Sequence, residues 1–149
     1  METKEIDKHL QWALRLCSQR EYCQYDIRLK LREKGVELEE VEQVIAELIK
    51  HNYLNDERYV RAFVHDKSKL QGWGPEKIRY ALRAKQLPDT LIRMALAEID
   101  PNARKETLRH LLETKRRSIK ATSESDLRVK LIRYALSRGF SYEDITSTF

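Results

Sequence analysis

Apolar residues along this chain recur every three to four positions, the period of a helix with one buried stripe. No convincing segment alternates with the period of two that a half-buried strand needs. Residues 6–19 place Leu10, Ala13, Leu14 and Cys17 on one stripe and predict a leading helix. Residues 25–34 and 39–51 predict a pair, the second with Val41, Val44, Ile45 and Leu48 inward and Glu39, Glu40, Glu42 and Glu47 on an acidic outer face. Asn55 is placed to cap a helix that buries Tyr59, Phe63 and Leu70. Gly72-Trp73-Gly74-Pro75 breaks the pattern, and Pro75 suits the first position of a helix running to about Gln86. Pro88-Asp89 opens another, with Leu91, Ile92, Ala95 and Leu96. Pro101 starts one with Leu108, Leu111 and Leu112. Residues 115–125, basic and then rich in Ser and Thr, read as a fraying helix end and a mobile connection. Ser123 or Ser125 caps a helix ending at Arg138, and Ser141 caps a short last helix through Ile145.

Superimposed on this period is a longer one. Ile27, Leu31, Lys34-Gly35-Val36 and Val41 have the same offsets as Ile78, Leu82, Lys85-Gln86-Leu87 and Ile92, and as Leu131, Ala135, Arg138-Gly139-Phe140 and Ile145. Each copy is the core of a helix–turn–helix: two apolar residues end one helix, a basic residue closes it, and the next helix buries its first side chain after the turn. With a leading helix before each pair, the chain reads as all-α, in three tandem three-helix repeats at residues 1–54, 55–100 and 101–149. Such modules lean on their neighbours for a continuous core and suit binding along an extended partner. Gly35 and Gly139 stand where a left-handed residue commonly ends a helix. Gln86 occupies the matching place, at a cost of roughly 1 kcal/mol if its backbone is left-handed too.

Composition narrows the function. Of 149 residues, 36% are charged and 41% apolar, enough for a packed core beneath much solvated helix surface. No apolar run is long enough to span a membrane and the first residues lack a signal peptide's apolar core, so a cytoplasmic protein without a membrane partner is expected. Cys17 and Cys23 match neither a zinc knuckle nor a redox pair and read as structural thiols. His9, His51, His65 and His110 are scattered with no metal-ligand spacing, and no phosphate loop or nucleophile elbow is present. No catalytic residue, cofactor, metal or small-molecule substrate is expected.

The net charge of +5 is uneven. Residues 1–54 carry 9 basic and 11 acidic side chains, residues 55–100 carry 9 and 7, and residues 101–149 carry 11 and 6. Residues 67–85 hold Lys67, Lys69, Lys77, Arg79, Arg83 and Lys85 against the single acid Glu76. Such a field draws phosphate or an acidic protein groove. Trp73, between two glycines in that basic stretch, suits base stacking, an interface anchor or a plug between units. Arg79 and Arg83, one turn apart and facing away from Ile78 and Leu82, offer forked donors to phosphates or carboxylates. Arg128, Lys130, Arg133 and Arg138 form a similar set in the third repeat.

Four linked segments resemble the RecX regulators of the RecA recombinase. They are Ala13-Leu14-Arg15-Leu16 with Arg20-Glu21-Tyr22 and Leu31-Arg32-Glu33-Lys34-Gly35; Tyr53-Leu54-Asn55-Asp56-Glu57-Arg58-Tyr59; Gly74-Pro75-Glu76-Lys77-Ile78-Arg79-Tyr80-Ala81-Leu82; and Ser137-Arg138-Gly139-Phe140-Ser141-Tyr142. Two positions depart from the family pattern: Asn55 stands at the first acid of the Tyr-Leu-Asp-Asp form, and Gln86 replaces the middle glycine. The resemblance implies an elongated, curved stack that lies in the groove of the RecA–single-stranded DNA filament. It implies a monomer that is not an enzyme and that limits filament extension, ATP hydrolysis and strand exchange. Weak binding to single-stranded or duplex DNA is also implied. On that reading Lys69, Trp73, Lys77, Arg79, Arg83, Lys85, Arg128, Lys130, Arg133 and Arg138 are the candidate contacts to filament or DNA. The alternative is a stand-alone helix-turn-helix DNA-binding protein, against which the acidic second helix of the first pair weighs by repelling phosphate.

Overall fold

The three repeated turns share one backbone solution. Gly35, Gln86 and Gly139 all have positive φ, at 82°, 59° and 96°. All twelve apolar positions of the repeat are buried. In the first and third turns the residue after the glycine donates back into the helix, Val36 N to the Leu31 carbonyl at 3.1 Å and Phe140 N to the Ala135 carbonyl at 3.2 Å. These bonds satisfy carbonyls that a helix end otherwise leaves open, while the same residue tucks an apolar side chain under the turn. Gln86 therefore adopts the left-handed conformation despite its Cβ.

The computed structural model describes residues 3–149, with side chains from residue 7 onward. Among them are nine α-helices and no strand. They are α1 (Thr3–Gln19), α2 (Gln24–Glu33), α3 (Leu38–Lys50), α4 (Asp56–His65), α5 (Pro75–Ala84), α6 (Asp89–Ala97), α7 (Pro101–Arg116), α8 (Glu124–Ser137) and α9 (Tyr142–Thr146), with a π-helical turn at Asp66–Leu70 after α4. The predicted punctuation is what stops and starts them. Asn55 Oδ1 accepts from Arg58 N at 3.0 Å, Ser123 from Asp126 N at 3.0 Å and Ser141 from Asp144 N at 3.1 Å. Each such cap is worth about 1 kcal/mol. Pro75 and Pro101 are first helical residues, where a missing N–H costs nothing.

The helices divide into two compact units, one comprising residues up to Ala62 together with Lys85–Leu87, the other Phe63–Ala84 together with Pro88–Phe149. In the first, α1 and α2 pack on α3 around Ala13, Ile27, Leu31, Val41, Val44, Ile45 and Leu48. In the second, α8 packs between α7 and α9 around Leu108, Leu112, Leu131, Ala135, Phe140 and Ile145.

Three expectations change. Leu70 is exposed, because the π turn carries it off the buried stripe of α4. Glu40 is not on the outer face of α3: it is 5% exposed and meets His9 Nδ1 at 2.7 Å. A buried carboxylate needs such a partner, and tertiary packing supplied one that spacing along the chain did not reveal. The segment after α7 is tied down rather than loose. Ile119 packs against the core, Lys120 O accepts from Lys130 Nζ at 2.8 Å, and Thr122 N donates to Asp126 at 3.0 Å.

Gly139 does more than turn the chain. Its carbonyl accepts from Glu76 N at 2.9 Å, and the Arg138 carbonyl accepts from Gly74 N at 2.7 Å. A Cβ on Gly139 would overlap that of Lys77 and stand 2.6 Å from the Lys77 backbone nitrogen. Around Gly35 nothing lies within 4 Å of such a Cβ. Gly35→Ala is therefore expected to cost only the left-handed penalty of about 1–2 kcal/mol. Gly139→Ala adds a steric displacement and is expected to cost roughly 3 kcal/mol or more, both read from urea unfolding. Equal losses at the two sites would show that the close approach to Lys77 carries no energy.

Candidate interaction surface

The sequence-predicted cations fall into different physical situations. Lys85 is an internal tie of the first unit: its Nζ donates to Tyr59 Oη at 2.8 Å and stands 3.0 Å from Asp26 Oδ1. Burial alone would pull this ammonium down, but the bonds to Tyr59 and Asp26 outweigh it and hold its pKa above the ordinary lysine value. Burial pushes the neighbouring Tyr59 up, and the buried Cys23 thiol up to about 12. Cys23 N also donates to Asp26, so this carboxylate serves the start of α2 and the lysine together. Around the same seam Asp56 Oδ1 accepts from Gln24 N at 3.0 Å, and Arg58 Nε donates to Glu21 at 2.6 Å. Asp56 and Arg58, in the first turn of α4, thus tie it to the start of α2 and the residues before it.

In the second unit Trp73 is half-buried, edge-on to Phe63 with ring centres 6.2 Å apart. Lys67 and Lys77 hold their ammonium groups 4.8 and 4.4 Å from its ring centre. Trp73 therefore fixes two cations from different elements in one place, a cation–π arrangement worth about 1 kcal/mol per pair at such exposure. Lys69, just before on the π turn, is exposed. Arg83 lies on the outer face of α5 and pairs with Asp89 at 2.9 Å. Arg79 is more sheltered and bonds Glu76 one turn back. It stands only about 100° around the helix from Ile78, beside the buried stripe rather than opposite it.

Of the third-repeat set, Arg138 is a strut whose guanidinium donates to the Gln71 carbonyl. Lys130 joins Asp126 at 3.0 Å. Arg128 lies over the Phe149 ring at 4.9 Å, and Arg133 is exposed. The structure thus brings together Trp73 and Lys77, and Arg138 with the turn before Trp73, while Lys85 belongs to another unit. Two aspects of the surface went unread in the sequence: Lys67 as partner of Trp73, and Tyr80, which is 80% exposed on α5. The helical wheel that places Arg83 outward also places Tyr80 there. No group of three or more His, Cys, Asp or Glu among the described residues is placed to hold a metal ion. None of their helices is long and apolar enough to cross a membrane.

Residues 10–48, 55–96 and 104–148 match the models of the first, second and third three-helix domains of RecX. Over 134 residues the chain is 34% identical to the regulatory protein RecX of Vibrio campbellii, covering 90% of this chain and 84% of that one. The chain belongs to the RecX family. It is likewise 36% identical over 134 residues to the regulatory protein RecX of Haemophilus ducreyi, covering 89% of this chain and 84% of the other. The crystal structure of RecX from Lactobacillus salivarius superposes with a TM-score of 0.85 at 24% identity, covering 99% and 96% of the two chains, and shares the fold. These relatives are named as regulatory proteins, not as enzymes.

In this chain the Cys23, Tyr59 and Lys85 values are all raised, so each contributes stability below its unfolded pKa and loses it as pH rises through the folded one. Stability is expected to hold up to about pH 9, the ordinary thiol value, and to fall progressively toward pH 12. Lys85→Ala is expected to cost about 1–2 kcal/mol at pH 7, between an exposed and a buried pair. Urea midpoints against pH read both effects. A variant as stable as the parent would return Lys85 to the outward-facing cations.

Proposed function

We propose that this RecX-family chain is a negative modulator of the RecA recombinase that acts by binding. It lies in the groove of the RecA–single-stranded DNA filament and limits filament extension, ATP hydrolysis and strand exchange. Family membership across nearly the whole chain is the observation that carries this reading. The cationic surface around Trp73, Lys69, Lys77, Arg79 and Arg83, with Arg128 and Arg133, supplies groups of the right sign for phosphates and acidic side chains. Arg138 supports that surface from within, through the Gln71 carbonyl. The protein acts in the cytoplasm as a monomer, with residues 1–54, 55–100 and 101–149 as its three repeats, and the nucleotide hydrolysed belongs to the recombinase.

The test is the single-stranded-DNA-dependent ATPase of the cognate RecA, titrated with this protein alongside a free-DNA binding control. Suppression well below one protein per recombinase, at concentrations where free DNA is scarcely bound, is expected. Suppression only where the DNA is already saturated would favour the stand-alone DNA-binding reading. Replacing Arg79 and Arg83 together with Ala is expected to weaken suppression about tenfold. Their ion pairs are at the surface and worth under about 1 kcal/mol each, so thermal stability should barely move. An unchanged ATPase titration in a folded double variant would remove α5 from the contact surface.

A further inference from the structure

We infer that the outer face of α3 docks on the outer face of α8 of a second copy of this chain, so that neighbouring copies meet head to tail. The inference goes beyond the proposed function, and its central test needs neither recombinase nor nucleic acid.

Each face carries apolar side chains that the fold leaves uncovered. On α3, Leu38 is 65% exposed and Ile49 43%, and with Glu42 they fall within about 40° around the helix. On α8, Val129 is 50% exposed and Leu136 46%, and with Arg133 they fall within about 60°. The buried stripes, Val41 and Leu48 on α3 and Leu131 and Ala135 on α8, lie on other sides of these helices. Ala46, exposed one turn before Ile49, is small enough to let a partner helix approach closely.

Charge complementarity selects the partner. From Val36 to Ile49 the chain holds five acids and no lysine or arginine. From Leu127 to Tyr142 it holds Arg128, Lys130, Arg133 and Arg138 and no acid. The exceptions stand at helix ends, where Lys50 closes α3 and Glu124 and Asp126 open α8. Two copies of either face repel each other, whereas α3 of one copy against α8 of another joins opposite signs. Glu39 and Arg133 are exposed and form no ion pair among the described residues. Glu42 and Lys130 are held by surface pairs, to Arg28 at 2.8 Å and Asp126 at 3.0 Å, which exchange partners at little cost.

The two faces are different surfaces, so each contact leaves one of each kind open for the next copy. Two partly exposed apolar residues on each side make a contact smaller than the roughly 1,200 Å² of stable interfaces. The dilute chain is therefore a monomer, and rows form where an extended partner brings copies side by side.

The test is sedimentation equilibrium of the full chain from about 10 µM to about 1 mM, at about 0.05 M salt where screening is weak. The parent is expected to be monomeric at the low end and to reach roughly 1.5 times the monomer mass or more at the high end. Salt at about 0.5 M is expected to reverse the rise. Leu38→Lys and Leu136→Glu are each expected to stay monomeric throughout. Both positions lie outside the core, so melting temperatures should stay within about 3 °C of the parent. Mixed in equal amounts the two variants are expected to pair, because one keeps the α8 face and the other keeps the α3 face. Glu39→Lys and Arg133→Glu, which change charge alone, are each expected to weaken association severalfold, and the chain carrying both to regain it. The inference is overturned if the parent stays monomeric at the highest concentration, if the variants associate as the parent does, or if the mixture fails to pair. Leu136→Glu that associates normally but loses ATPase suppression would overturn it too, by giving the α8 face to the recombinase. Absence of self-association leaves the regulatory reading standing, because that reading is judged by ATPase suppression alone.

Discussion

The amides that open α5 have no partners within their own helix, and they find them in the turn between α8 and α9. Gly74 N reaches the Arg138 carbonyl and Glu76 N reaches the Gly139 carbonyl, at 2.7 and 2.9 Å. Backbone can meet backbone this closely only where neither residue carries a Cβ, and Gly74 and Gly139 face each other for that reason. Arg138 adds a third tie through its side chain to Gln71. The geometry of the cationic surface depends on this junction. It fixes the start of α5, hence the position of Lys77, and it pins the loop that presents Trp73.

The surface that results is built by indirect means. Trp73 gathers lysines from the π turn and from α5 around one ring, so two ammonium groups are held in place instead of waving from flexible stems. Holding them beforehand reduces the side-chain entropy lost when a partner binds. Other cations support the fold. Lys85 joins Asp26 to Tyr59, and Arg58 reaches Glu21. A basic stretch of sequence thus contains two populations, those facing outward and those consumed by internal acids.

Repetition makes this division possible. The helix–turn–helix core is the same in each copy, and the residues around it are free to specialise. The first copy spends its acids on structure, with Glu40 on His9 and Glu42 on Arg28 at 2.8 Å. Gly74 of the second copy and Gly139 of the third let the start of α5 meet the turn after α8, and Arg138 bonds the Gln71 carbonyl. Gln86 shows how firmly the pattern is imposed: it takes φ of 59° against its own preference, because Leu87 beyond it is buried.

Helix positions, their caps, the three turns and the family were all legible in the amino-acid sequence, because local periodicity, capping and turn chemistry act over a few residues. Pro75, Pro101, Ser123 and Ser141 mark their helices without reference to the rest of the chain. The interaction surface was legible only as a region. Whether a lysine faces solvent or an aspartate depends on what packs beside it, and Asp26 lies 59 residues from Lys85. The displacement of Leu70, the burial of Glu40 and the pairing of Lys67 with Trp73 have the same origin. Sequence determined the helices and their punctuation, because those are short-range; tertiary structure decided which charges remain available to a partner, because that is settled by contacts between residues far apart in the chain.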